Sequence, residues 1–156
     1  MSVPNTLAQY LADRDIAYDV VPHPHSETAL GSAAAASVTA DRVVKAVVLK
    51  GGDGFILALL PASRRIHFEE LRQLLGDNVD IAGEEQVETL FIDCDPGAVP
   101  AFAAAYGLNV VVDDSLAEER ELYLESGDHA NLVHISRSNF RKLTETARHG
   151  RFTGQG

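Results

Sequence analysis

Val43-Val44-Lys45-Ala46-Val47-Val48-Leu49-Lys50 runs directly into Gly51-Gly52-Asp53-Gly54. β-Branched residues dominate the run and a glycine-rich tetrapeptide closes it, so it reads as a strand entering a hairpin. Alternate residues of a strand face opposite sides. Val43, Lys45, Val47 and Leu49 therefore share one side, and Val44, Ala46, Val48 and Lys50 the other. Both sides are apolar apart from the lysines, the pattern of a strand covered on both faces. Lys50 sits at the turn and reaches water. Lys45 sits among valines, where an unpaired ammonium is costly. It either snorkels past its neighbours to solvent or meets a partner, water or a ligand, and the pattern weighs these readings evenly.

Working outward, residues 55–60 form the return strand of the hairpin, stopped by Pro61. Upstream, Asn5 can cap a short helix with Leu7, Tyr10 and Leu11 on one face. A strand follows over 16–21, ended by Pro22-His23-Pro24-His25. Ser26 or Thr28 can then start an alanine-rich helix reaching about Ser37. Downstream, the spacing of Phe68, Leu71, Leu74 and Leu75 predicts a helix stopped by Gly76. A short strand over 79–82 and a short helix over 84–90 precede a turn-rich loop, Asp93-Cys94-Asp95-Pro96-Gly97-Ala98-Val99-Pro100. Strands over 108–112, 121–125 and 131–135 lead to a last helix capped by Ser136. Helices alternating with strands make an α/β domain over residues 1–148. The polar, Gly-rich segment 149–156 reads as a flexible tail.

Composition narrows the function classes. With 156 residues, 46% hydrophobic and 23% charged, the chain is long enough and apolar enough for one globular domain with a real core. No apolar run is long enough to span a membrane. Residues 1–5 lack the basic-then-apolar order of a signal peptide. The single cysteine, Cys94, excludes an internal disulfide and fits a reducing, cytoplasmic setting. A net charge of −10 argues against strong autonomous binding to nucleic acid. It leaves room for contact with one end of an RNA, or for docking on a basic partner.

Several side chains can carry chemistry, each beside a plainer reading. Gly97, between turn residues, can expose backbone N–H groups that polarise a carbonyl or hold an oxyanion; a surface turn is the simpler account. Cys94 can serve as a nucleophile with a histidine, or sit as an inert small hydrophobe. His23 and His25 share one side of an extended segment, but spacing marks no third metal ligand. Asp113-Asp114 reads as an acid/base pair or as a strand-end turn with a cap. Arg64-Arg65 reads as a phosphate contact or a solvated loop. His129, after Gly127-Asp128, can orient a substrate or lie on the surface of a turn.

Taken in order, one set of these features resembles the YbaK/prolyl-tRNA-synthetase-associated family of aminoacyl-tRNA deacylases. The set is His23-Pro24 with Thr28, the Lys45 strand, Leu59-Leu60-Pro61-Ala62, Pro96-Gly97-Ala98-Val99-Pro100, Val112-Asp113 and Gly127-Asp128-His129. It covers the chain from about Asn5 to Leu143. The resemblance implies a mixed β-sheet curled into a partial barrel and flanked by helices. It implies trans-editing, the hydrolysis of the ester joining a wrong amino acid to the 3′ end of a tRNA, with small residues such as Ala on tRNA-Pro as the expected substrate. It further implies that Lys45 is required, that Gly97 and Ala98 supply oxyanion donors, and that Thr28, Ala46, Pro96, Val99, Pro100, Asp113 and His129 shape the substrate pocket. No metal or organic cofactor is expected, and no membrane contact. The expected partners are the acceptor end of an aminoacyl-tRNA and a synthetase. Many members carry Asn or Thr where this chain has Ala46, and a glycine pair where it has Pro96-Gly97. Those departures leave a second reading, a non-catalytic module that binds a synthetase or an aminoacyl-like ligand.

Overall fold

The computed structural model describes residues 4–52, 54–94 and 99–155. Its first half runs α1 (Asn5–Asp13), β1 (Asp19–Pro22), α2 (Ala29–Ala35), β2 (Val43–Gly51), β3 (Gly54–Pro61), β4 (Arg64–Ile66) and α3 (Phe68–Leu75). The second half runs β5 (Asp80–Ile81), α4 (Glu84–Leu90), β6 (Asn109–Asp113), β7 (Glu121–Glu125), β8 (Asn131–Ser136), α5 (Arg137–Leu143), β9 (Arg148–Gly150) and β10 (Thr153–Gln155). Short 3-10 turns over Ala40–Arg42, Ala103–Tyr106 and Asp114–Glu118 link them.

The β2–β3 hairpin is the centre of the sheet. Its antiparallel register runs from Val44 opposite Pro61 to Gly51 opposite Gly54. Strand order across the main sheet is β1-β8-β7-β2-β3-β6-β9, with β5 on β2 as well. The pairs β2/β7, β3/β6 and β6/β9 are parallel and the rest antiparallel. This is the expected fold, a mixed sheet curled into a partial barrel with flanking helices. β1 and β9 remain separate edges, so the sheet does not close.

The alternation along β2 sorts its side chains as expected. Val44 and Val48 enter the main core with Leu57, Leu59, Val112, Leu124 and Val133 of the sheet, Leu7 and Leu11 of α1, and Phe140 of α5. On the other side the apolar packing divides in two. Leu49 joins Leu60, Val111, Leu71 of α3 and Phe152. Val43 joins Ala62, Leu132 and Ala33 of α2. Lys45 lies on that side between Val43 and Val47, at the seam of the two clusters. A seam admits a long polar side chain without breaking either cluster, which explains a lysine inside a valine strand.

Several local expectations meet the structure with adjustments. Thr28 caps α2, its Oγ1 accepting the Gly31 N–H at 3.0 Å. Gly76 ends α3 at φ 67°, a conformation that glycine adopts without Cβ strain. Ser136 caps α5 by accepting from the Asn139 N–H. Asn5 is not a cap: it is the first helical residue, and Pro4 precedes it with no side-chain cap. No helix among the described residues is long and apolar enough to cross a membrane.

The segment expected to be a flexible tail is instead built into the structure. β9 pairs with β6, and β10 pairs with β4. Between them Phe152 is 0% exposed. Composition misled here because one aromatic residue and one distant carboxylate outweigh the glycines. Asp113 accepts the Phe152 N–H at 2.9 Å and the Thr153 hydroxyl at 3.0 Å.

Candidate active site

The site follows from how β2 and β7 part. Their parallel pairing lasts two rungs, Val43 opposite Tyr123 and Val44 opposite Leu124. The next rung sets Lys45 beside Glu125, but there the strands diverge. β7 turns back through residues 126–130 into β8, while further along β2 the same edge is taken by β5, at Leu49 and Lys50. From Lys45 to Val47 that edge pairs with no strand among the described residues. Parallel strands that separate at their carboxyl ends leave a crevice, a common place for ligands in α/β sheets.

A cavity of about 150 Å³ occupies this crevice, lined by Ser26, Glu27, Ala29, Lys45, Ala46, Val99, Glu125 and His129. Of the residues expected at the site, Lys45, Ala46, Val99 and His129 thus come together. Thr28 sits between two lining residues and orients them by capping α2. Pro100 is buried just beyond Val99. Pro96, Gly97 and Ala98 lie outside the described residues. Both flanks of that stretch reach the turn between β7 and β8. Ala101 N–H donates to the Glu125 carbonyl at 3.0 Å. Cys94 Sγ lies where a Cβ on Gly127 would come within 2.6 Å of it.

Asp113 is not part of this cavity. It lies two strands from Lys45, at the end of β6, and its carboxylate is taken up by Ser115, Phe152 and Thr153. It fastens the chain end rather than facing the cavity. Glu125, Ser26, Glu27 and Ala29 were not foreseen. Glu125 ends a strand whose Leu122 and Leu124 point inward, and nothing local distinguishes it from a solvated strand terminus. Only the register with β2 brings it next to Lys45.

The turn carrying His129 is held by Asp128. Its carboxylate accepts from Ser126 Oγ at 3.0 Å, from the N–H groups of Ala130 and Asn131 at 3.0 and 2.9 Å, and from the Asn131 side-chain amide. This turn places His129 at φ 60° and buries it. His129 Nε2 lies 3.4 Å from Glu27 Oε2, and its ring is 5.2 Å from that of His25. His25 Nε2 in turn lies 2.8 Å from Glu27 Oε1. Gly127 has φ 108° and no room for a side chain. Gly127→Ala is expected to destabilise the fold by about 1–3 kcal/mol through backbone strain. Urea unfolding of the purified variant checks this, and an unchanged midpoint would contradict the strained turn.

The electrostatics are uneven across the cavity. Burial, reinforced by the like charge of Arg65, lowers the Lys45 pKa below the usual ammonium value. Burial raises that of Glu125; the nearby Ser32 hydroxyl and charge on His23 and His129 oppose the shift, and Asp128 adds to it. Ser32 Oγ approaches Glu125 without completing a hydrogen bond of normal geometry. Glu27 is held below its ordinary value, first by its hydrogen bond with His25 and then by charge on His129. The result is a small chamber with one cation, two carboxylates, an imidazole and apolar walls. Among the described residues, no group of three or more His, Cys, Asp and Glu side chains is placed to hold a metal ion.

The profile of the aminoacyl-tRNA editing domain family matches residues 23–143. The chain belongs to that family. The match takes in Lys45, the whole 95–98 stretch and the His129 turn. Among curated proteins, a 47-residue segment of this chain is 43% identical to the proline–tRNA ligase of Thermosipho africanus, covering 30% of this chain and 8% of that one. Another is 36% identical over 59 residues to the proline–tRNA ligase of Thermosipho melanesiensis, covering 38% and 10%. The matched segments thus span about a tenth or less of those ligases. Among solved structures, one described as a candidate trans-editing enzyme for prolyl tRNA synthetase superposes with a TM-score of 0.81 at 22% identity, over 96% of this chain and 95% of that one. A described signal transduction protein from Marinobacter aquaeolei VT8 superposes with a TM-score of 0.79 at 19% identity, over 97% of this chain and 31% of that one. At these identities the likeness is one of fold.

Proposed function

We propose that this editing-family protein is a trans-acting deacylase that hydrolyses the ester between a small amino acid and the 3′ end of a tRNA, with Ala on tRNA-Pro as the favoured substrate. The observation that carries this reading is the 150 Å³ cavity at Lys45, where β2 and β7 part. One water needs about 10–15 Å³ on the same measure, so the chamber exceeds a single-water site several-fold and has room for a small aminoacyl group. A difference of one methylene is worth only about 1–3 kcal/mol in a binding pocket, so a separate chamber that admits small residues adds fidelity a synthetase lacks.

Water attacks the carbonyl carbon, the carbonyl oxygen takes the charge, and the bond to the ribose oxygen breaks. The ribose oxygen takes up one proton of the attacking water, the other passes to solvent, and the amino acid leaves as a carboxylate. An aminoacyl ester is already activated, so positioning and oxyanion stabilisation supply much of the acceleration. Lys45 serves as a fixed cation for the terminal phosphate or a ribose oxygen. The amides of Gly97 and Ala98 are the oxyanion donors in this reading. A ribose hydroxyl of the substrate assists the water. His129, Val99 and Ala46 shape the chamber, with Thr28 and Pro100 beside it, and Pro96 contributes to substrate binding in this reading. The site of action is the cytoplasm, where tRNA is charged. The net charge of −10 favours a grip confined to the acceptor end, or delivery by a synthetase.

One observation favours the binding-module reading: Ala46 lines the chamber where many relatives of this type carry a polar residue. A panel of Ala-, Ser-, Cys-, Thr- and Pro-tRNA-Pro separates the two. Release of Ala or another small residue, with Pro-tRNA-Pro spared, is the expected result. No release from any member, together with capture of a synthetase, would replace the deacylase reading by the module.

A further inference from the structure

We propose that Glu125 anchors the α-ammonium of the bound aminoacyl group, so that the protein selects amino acids with a free α-amine and rejects N-acylated ones. The inference deepens the deacylase reading and rests on it for the identity of the ligand. An aminoacyl ester carries its positive charge on the α-nitrogen, two bonds from the carbonyl carbon that reacts. A chamber that holds the carbonyl near Lys45 therefore holds the ammonium close by. Lys45 and Glu125 are the residues that follow the last paired rung of β2 and β7, and both line the cavity where the strands part.

Of the two carboxylates in the chamber, Glu27 is committed. Its side chain is 69% exposed and lies between His25 and His129. Glu125 makes no ion pair within 4 Å among the described residues. The surroundings of Glu125 are also built for a cation. His23 is 8% exposed and Ser32 0% exposed. Their Nε2 and Oγ atoms are buried without a hydrogen-bond partner. His23 Nδ1 lies 2.7 Å from the Pro24 carbonyl, which only accepts, so Nδ1 is the donor of that pair. The Ser32 hydroxyl and charge on His23 each favour the charged form of Glu125. A buried carboxylate outside any ion pair, beside an unused hydroxyl, suits an ammonium, which has three donors and no acceptor. It does not suit a neutral amide at the same place. Burial disfavours the charge on Glu125, and a cation bound beside it favours that charge.

The test compares Ala-tRNA with N-acetyl-Ala-tRNA, using wild type and Glu125→Gln. The wild type is expected to favour the free amine by roughly 10–100-fold in kcat/KM, and the variant to bring that ratio close to one. In parallel, calorimetry or NMR titration measures binding of L-alaninamide and N-acetyl-L-alaninamide. Only the cationic amide should bind the wild type, and about tenfold or more weakly to the variant. Equal turnover of both tRNA substrates by wild type would overturn the anchor and leave the deacylase reading standing. Glu125-dependent binding of alaninamide without turnover of any aminoacyl-tRNA would support the anchor and overturn the deacylase reading. Absence of Glu125-dependent binding overturns the anchor. Folding is controlled by thermal unfolding: removing a carboxylate whose charge is disfavoured by burial should leave the melting temperature unchanged or raise it.

Discussion

Lys45→Ala is expected to lower kcat/KM for aminoacyl-tRNA hydrolysis by roughly 100- to 1000-fold, the scale of removing one electrostatic stabiliser from a preorganised site. The loss should not come from unfolding. Lys45 sits at the seam of two apolar clusters, and its charge is disfavoured by burial and by Arg65. Its folded-state pKa is lowered, so the unfolded chain holds the proton more tightly. The stability this group contributes therefore rises with pH between the lowered value and the ordinary one, and at neutral pH the charged form is a cost. The variant should match or exceed the wild type in melting temperature while losing activity. A fully active Lys45→Ala protein would remove the lysine from the mechanism.

The same shift separates the two roles open to Lys45. If its cation is needed, activity falls as pH rises through a value below the usual lysine range. If its neutral form acts as a base, activity rises through that value instead. Rates corrected for spontaneous ester hydrolysis at alkaline pH distinguish the two signs. Lys45→Arg adds a second criterion, since a guanidinium keeps its charge across that range.

Phe152→Ala is expected to be the most damaging change outside the site. The ring is fully buried against Leu71 of α3 and against Leu60 and Val111 of the sheet. Truncating a buried phenylalanine costs about 3–5 kcal/mol. For a chain of this length that corresponds to a fall in melting temperature of roughly 10 °C. Asp113 should couple to it, because its carboxylate accepts the Phe152 N–H and the neighbouring Thr153 hydroxyl. Denaturant titration of Phe152→Ala, Asp113→Ala and the double variant measures that coupling. A melting temperature indifferent to Phe152 would return the chain end to the status of a tail.

Much of the fold was legible because it rests on local patterning. The β2–β3 hairpin follows from a β-branched run and a glycine turn. α3 follows from the spacing of Phe68, Leu71, Leu74 and Leu75 and the stop at Gly76. The caps at Thr28 and Ser136 are short-range chemistry between a side chain and the next turn. Half of the chamber was legible in the same way: Lys45 is conspicuous among valines, and His129 closes a distinctive turn.

What the amino-acid sequence determined alone was therefore most of the strands and helices, though not β4, β9 or β10, together with the anomaly of Lys45 and the membership that its ordered motifs suggest. Tertiary structure decided which carboxylates line the chamber. Asp113 was expected among the pocket residues, and residues 152 and 153 claim it from across the sheet. Glu125 takes the place beside Lys45 through a parallel register between strands far apart in the chain. Periodicity reports which face a residue occupies but not which rung of a distant strand it meets. That rung is set by the packing of the whole sheet, and here it places Glu125 beside Lys45 where the two strands part.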